Sequence, residues 1–121
     1  ESVKQDKPNI RTAIPKRRYE VGDYSVTLLG EIASGDQREF RFIMAFVPMG
    51  RQEPSLYVCV EPTASDGSAT GRYQLRVVNE TMSEVVDRDD RWGDLDAFAE
   101  QGLRVGSQSL GLQREQPVRL L

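Results

Sequence analysis

Histidine is absent from all 121 residues, and cysteine occurs once. Histidine is the usual proton carrier near neutral pH and the commonest metal ligand. Without it Ser-His-Asp and Cys-His machinery is excluded, together with most catalytic zinc sites. Only carboxylate, lysine or tyrosine chemistry would remain to an enzyme, so the composition points away from catalysis and no cofactor is expected. The single Cys59 excludes an intrachain disulfide and a multi-cysteine metal site. Nothing therefore marks an oxidising compartment, and a cytoplasmic setting is the default expectation. No apolar run approaches the roughly 20 residues of a membrane span, and no charged-then-apolar leader opens the chain. Gly22, Gly30, Gly35, Gly50, Gly67 and Gly71 stand singly at turns. None completes a GxGxxG or Walker-type phosphate loop.

What is present is an ordinary globular composition, 38% hydrophobic and 29% charged, long enough for one domain with a real core. The net charge of −3 is unevenly placed. Lys4, Lys7, Arg11, Lys16, Arg17 and Arg18 face only Glu1 and Asp6 within residues 1–18, a balance of +4 that leaves −7 for the rest. An acidic body with a short basic arm repels a phosphate backbone over most of its surface. Residues 1–18 lack periodicity and contain Pro8 and Pro15, so they are expected as a flexible basic N-terminal arm, with a single domain over 19–121.

The clearest element lies between Asp94 and Leu110. Leu95, Phe98, Ala99, Gly102, Leu103, Gly106 and Leu110 recur at helical spacing, opposite Asp96, Glu100, Arg104 and Ser107. Asp94 is suited to cap this helix. Upstream, the period-2 patterns predict strands over Tyr24–Ile32, Phe40–Val47, Leu56–Glu61 and Tyr73–Val78. Tyr19–Val21 before Gly22-Asp23 reads as a small extra strand, Met82–Val86 as an edge strand, and Val118–Leu121 as an edge strand or a loose end. Residues 63–70, small and polar throughout, read as a mobile hairpin loop. The expected fold is α+β: an antiparallel meander sheet of four to five strands with one C-terminal amphipathic helix packed on one face.

Phe40–Val47 is apolar on both faces, which demands cover on both sides of the sheet. One helix shelters one face, so a partner is expected on the other. The primary expectation is a non-enzymatic protein-interaction module, whether adaptor, chaperone-like protein or assembly factor. It would be homodimeric through the uncovered sheet face or the helix, with Phe40, Ile43, Tyr57, Cys59, Val78, Gly102 and Gly106 as the candidate interface. Gly102 and Gly106 would serve either a helix–helix contact or close approach to bulky strand residues such as Tyr24 or Phe42. The alternative is a single-stranded nucleic-acid binder using Arg38, Arg41, Arg72 and Arg76 with Tyr57 and Tyr73 on the sheet face; Glu39, Glu61 and Glu80 dilute that charge. A third is a small ligand-binding domain or histidine-free enzyme with its pocket between sheet and helix. Asp87, Asp89, Asp90, Asp94 and Asp96 fail the calcium-loop pattern, since Trp92 and Phe98 occupy the glycine and glutamate places. No metal site or catalytic set is assigned.

Overall fold

In a computed structural model, residues 6–63 and 71–120 are described. Seven antiparallel strands form one sheet: β1 (Ile10–Val21), β2 (Tyr24–Ser34), β3 (Phe42–Pro48), β4 (Leu56–Pro62), β5 (Tyr73–Val78), β6 (Ser83–Arg88) and β7 (Val118–Arg119). Their order is β6-β5-β4-β3-β2-β1-β7, so the first six strands make a meander and β7 joins outside β1. A 3-10 helix (Asp90–Gly93) leads into helix α1 (Leu95–Ser109). The fold is α+β as expected, but with seven strands rather than four to five.

The two additional strands come from segments with weak patterns. Residues 10–18, expected in a flexible arm, are instead the first part of β1. Their periodicity is hidden because the pairing with β2 shifts register between Ile10 and Thr12, between Thr12 and Ile14, and between Pro15 and Arg17. Each shift changes which face the next side chain takes, and so erases alternation from the sequence. β7 pairs only at Tyr19↔Arg119 and Glu20↔Val118. Gly22-Asp23 does close a hairpin: Val21 pairs with Tyr24 and Gly22 has φ 55. A positive φ at the first turn residue alone is the type II′ arrangement that matches strand twist. Residues 64–70 of the expected mobile loop lie outside the described residues.

α1 begins where expected, the Asp94 carboxylate accepting from the Ala97 N–H at 2.9 Å. It ends beyond Gly106, at Ser109. Gly111 (φ 74) then donates to the Gln108 carbonyl, and Leu112 donates to Ser107. That pair of bonds with a left-handed glycine satisfies the last helical carbonyls. Trp92 is buried one turn ahead of the helix, and the Phe98 ring stacks on Phe42 with centroids 5.7 Å apart. Ser107, expected outward, is buried.

Alternation divides the core into two clusters. Under α1 lie Val26, Leu28, Phe42, Met44, Phe46, Leu56, Val58, Val60, Leu75 and Val77. On the opposite face lie Phe40, Ile43, Ala45, Tyr57, Cys59 and Val78, with Ile10, Leu29 and Ile32 against them. Beyond Leu29, where the pairing with β3 ends, β2 goes on pairing with β1, and Ile10, Leu29 and Ile32 pack against the Phe40 cluster. Residues of the chain itself thus bury this second cluster.

The helical glycines allow α1 to sit close to β3. A Cβ at Gly106 would fall 2.2 Å from Phe46 Cζ, and one at Gly102 would fall 3.0 Å from Met44 Cε. The bulky neighbours are therefore Met44 and Phe46 rather than Tyr24 or Phe42, and both glycines are buried within the chain. The two positions differ in how readily the neighbour can yield. Gly106→Ala drives a methyl into a ring fixed in the core, and urea unfolding is expected to register a loss of about 2 kcal/mol. For Gly102→Ala the flexible methionine end moves and alanine gains helix propensity, so the change should stay within about 0.5 kcal/mol.

Candidate functional site: a cleft at the far end of the second sheet face

Two features occupy the face opposite α1. Toward the C-terminal end of β4 there is a polar cluster centred on Glu61. β4 pairs with β5 in the register Cys59↔Arg76 and Glu61↔Gln74, which places these polar side chains on the same face as Cys59. Glu61 accepts from Arg38 Nη2 at 2.9 Å, Arg76 Nε at 3.1 Å and Gln74 Nε2 at 3.0 Å. Arg38 also donates to the Asp6 carbonyl and lies over the Phe40 ring, while Arg76 donates to Ser83 Oγ. The cluster ties Asp6, the approach to β3, and strands β4 to β6 together beside Cys59. Burial pushes the Glu61 carboxyl up, but Gln74 and the two guanidiniums outweigh it and hold Glu61 below the ordinary glutamate value.

The second feature is a cleft of ≈ 680 Å³ at the opposite end of β4, lined by Lys7, Glu53, Pro54, Ser55, Tyr57, Val78, Asn79, Glu80 and Thr81. Tyr57 and Val78, directly paired across β4 and β5, form its floor with Pro54. The β5–β6 turn builds one wall: Asn79 Oδ1 accepts from the backbone N–H groups of Thr81 and Met82 and so holds Glu80 and Thr81 at the rim. The loop before β4 builds the other, where Lys7 Nζ and Glu53 Oε1 are 4.0 Å apart. The Ser55 hydroxyl is buried and has no hydrogen-bond partner among the described residues. The Tyr57 phenol is pushed up, first by burial and then by Cys59 and Glu53, and so stays neutral and able to donate. The volume lies within the roughly 300–1,000 Å³ of small-ligand sites. Its contents are an aromatic floor in which Tyr57 is 9% exposed, one hydroxyl without a partner among the described residues, and a rim bearing two carboxylates against one ammonium.

The expected interface residues are divided by this geometry. Phe40, Ile43 and Cys59 are enclosed, Gly102 and Gly106 are filled by Met44 and Phe46, and only Tyr57 and Val78 line an opening. The expected nucleic-acid face is also divided. Arg38 and Arg76 are held by Glu61 on the Tyr57 side. Arg41 reaches the Gly93 carbonyl and the Phe42 ring on the helix side. Tyr73 is on that side too, with Gly93 against its ring, while exposed Arg72 takes Asp90 at its backbone N–H. Oppositely directed side chains cannot make one stacking platform. The pocket lies on the sheet face away from the helix, not between sheet and helix.

The aspartates of residues 87–96 act singly. Asp89 caps the 3-10 helix through the Arg91 N–H, Asp94 caps α1, Asp90 accepts from Arg72, and Asp96 accepts from Arg17. Among the described residues no three acidic or cysteine side chains converge as metal ligands. The cleft was not legible in the sequence because Lys7, the Ser55–Tyr57 stretch and Glu80 are far apart along the chain and meet only in the folded sheet.

No protein-family model matches this chain, and neither characterised proteins nor solved structures include a match to it. Function therefore has to be argued from the α+β fold and the cleft alone.

Two measurements probe this face. Because the folded Glu61 carboxyl is depressed, its contribution is present above the ordinary glutamate range and is lost as pH falls through it toward the folded value. Thermal unfolding should show wild type more stable than Glu61→Gln by about 1–3 kcal/mol at neutral pH, with the gap closing in acid. Burial raises the Cys59 thiol far above its usual range. The native protein should resist alkylation by iodoacetamide, with full labelling appearing only on unfolding.

Proposed function

We infer that this chain is a non-enzymatic protein-interaction module that receives a basic side chain of another protein in the Tyr57–Val78 cleft. The observation behind this reading is the place where the second face stays open. That face is closed by the chain over Ile43 and Cys59, and among the described residues a cleft lined by Tyr57 and Val78 lies beside Glu53 and Glu80. An aliphatic arm ending in a cation suits such a site: the arm lies on Val78 and Pro54, the cation nears the Tyr57 ring and the rim carboxylates, and Ser55 gains a donor. Among the described residues no convergent acid, base and nucleophile line the cleft, which supports binding over catalysis.

The partner is proposed to be a different protein rather than a second copy. A stable dimer buries about 800 Å² per subunit. The residues expected to supply that area, Phe40, Ile43, Cys59, Gly102 and Gly106, are already used inside one chain. Sedimentation equilibrium is expected to give a monomer at high micromolar concentration.

The binding reading is tested by titrating the labelled protein with a blocked Ala-Lys-Ala peptide and its norleucine counterpart, followed by NMR. The lysine peptide is expected to saturate with a dissociation constant of about 1 mM or tighter, shifting signals of Tyr57 and Val78. Glu80→Gln should weaken it severalfold. Equal binding of the norleucine peptide, or shifts elsewhere only, would overturn the proposal.

A further inference from the structure

A second surface, separate from the cleft, lies along the outer edge of β1. β1 is the longest strand, yet β7 pairs with it only at Tyr19 and Glu20, and the Leu120 N–H extends the contact to the Arg18 carbonyl at 2.7 Å. Among the described residues no strand pairs with that edge from Ile10 to Arg17. An edge left open offers extended backbone donors and acceptors over about 25 Å, and natural sheets either guard such edges or use them. The other edge of the sheet is guarded: β6 has six residues, carries Glu84, Asp87 and Arg88, and is bulged against β5.

The β1 edge differs in charge and in the chemistry of its exposed side chains. Arg11 and Arg18 are exposed along it, and Lys16 and Arg17 lie between them, the latter two engaged by Glu31 and Asp96. Ile14 is 47% exposed, and Val118 and Leu120 on the adjoining β7 segment are 54% and 53% exposed. β7 already shows that this edge accepts an antiparallel strand, and Leu120 sets the direction and register from which a further strand would run toward Ile10. We propose that the open edge of β1 binds, by antiparallel strand addition, an extended segment of another protein in which acidic and apolar residues alternate. Backbone pairing supplies affinity, the acids meet Arg11 and Arg18, and the apolar residues cover Ile14 and Leu120.

A second copy of this chain fits the edge poorly. Antiparallel pairing of two β1 strands would bring like-charged arginines and lysines together. Pro15 lacks a donor, and the three register shifts would have to be accommodated in both copies at once. An unstructured segment can adjust its own backbone to one bulged edge.

The test uses the whole protein and three blocked eight-residue peptides: one alternating Glu/Asp with Val, one alternating Lys with Val, and the acidic peptide with a central proline. Fluorescence anisotropy is expected to show saturable binding of the acidic peptide that weakens as salt rises. The basic and proline peptides should bind about tenfold more weakly or not at all. Amide hydrogen exchange should slow in residues 10–17 on binding. Arg11→Glu with Arg18→Glu, both at exposed positions, should weaken the acidic peptide about tenfold and let the basic one bind. Equal binding of the proline peptide would show charge attraction without strand pairing. Protection confined to other strands, no binding at low salt, or a peptide-free dimer protected along β1 would each overturn the proposal. Loss of cleft binding in Glu80→Gln leaves this result unaffected, so the two readings fail independently.

Discussion

A strand that is apolar on both faces needs cover on both sides, and most of this fold answers that requirement. Phe42 through Phe46 are all buried in the middle of the sheet. Phe42, Met44 and Phe46 point to α1, while Ile43 and Ala45 point away. Leaving either set in water would cost roughly 1.5–3 kcal/mol for each large side chain. The helix solves one side with two glycines that bring its backbone down onto Met44 and Phe46. The long β1–β2 hairpin serves the other, with Ile10, Leu29 and Ile32 packed against the Phe40 cluster.

The two covers differ in kind. Under α1 the packing is almost wholly apolar and includes the stacked Phe42 and Phe98 rings. The second cover is fastened by charge, with Glu61 on β4 receiving Arg38 from the approach to β3 and both Gln74 and Arg76 from β5. A carboxylate satisfied by several donors holds those segments in place directionally, as apolar contact alone does not. It also gives that face a stability tied to the ionisation of one group. Where the fastening ends, near Tyr57 and Val78, the face opens into the cleft.

The interaction reading rests on what remains after the sheet is closed. The broad greasy face implied by the alternation does not survive folding; among the described residues a cleft and a strand edge remain. Each has its own chemistry: aromatic and acidic in the cleft, extended and basic along β1. Of the arginines that suggested nucleic acid, Arg38 and Arg76 are held by Glu61 and Arg41 by the Gly93 carbonyl and the Phe42 ring, while the Arg72 side chain stays exposed near Asp90.

Strong local periodicity made α1, its Asp94 cap and strands β2 to β5 readable in the chain, because hydrophobic spacing reports which face a residue turns. The need for a second cover over Phe40–Val47 was equally plain. What supplied that cover was not, since β1 is bulged three times and its alternation is scrambled by those shifts. β7 is too short to leave a pattern. The cleft assembles Lys7, the Ser55–Tyr57 stretch and Glu80 from three separated segments. Spacing along a chain encodes facing, whereas contact between distant segments depends on register and bend, which only the folded sheet determines.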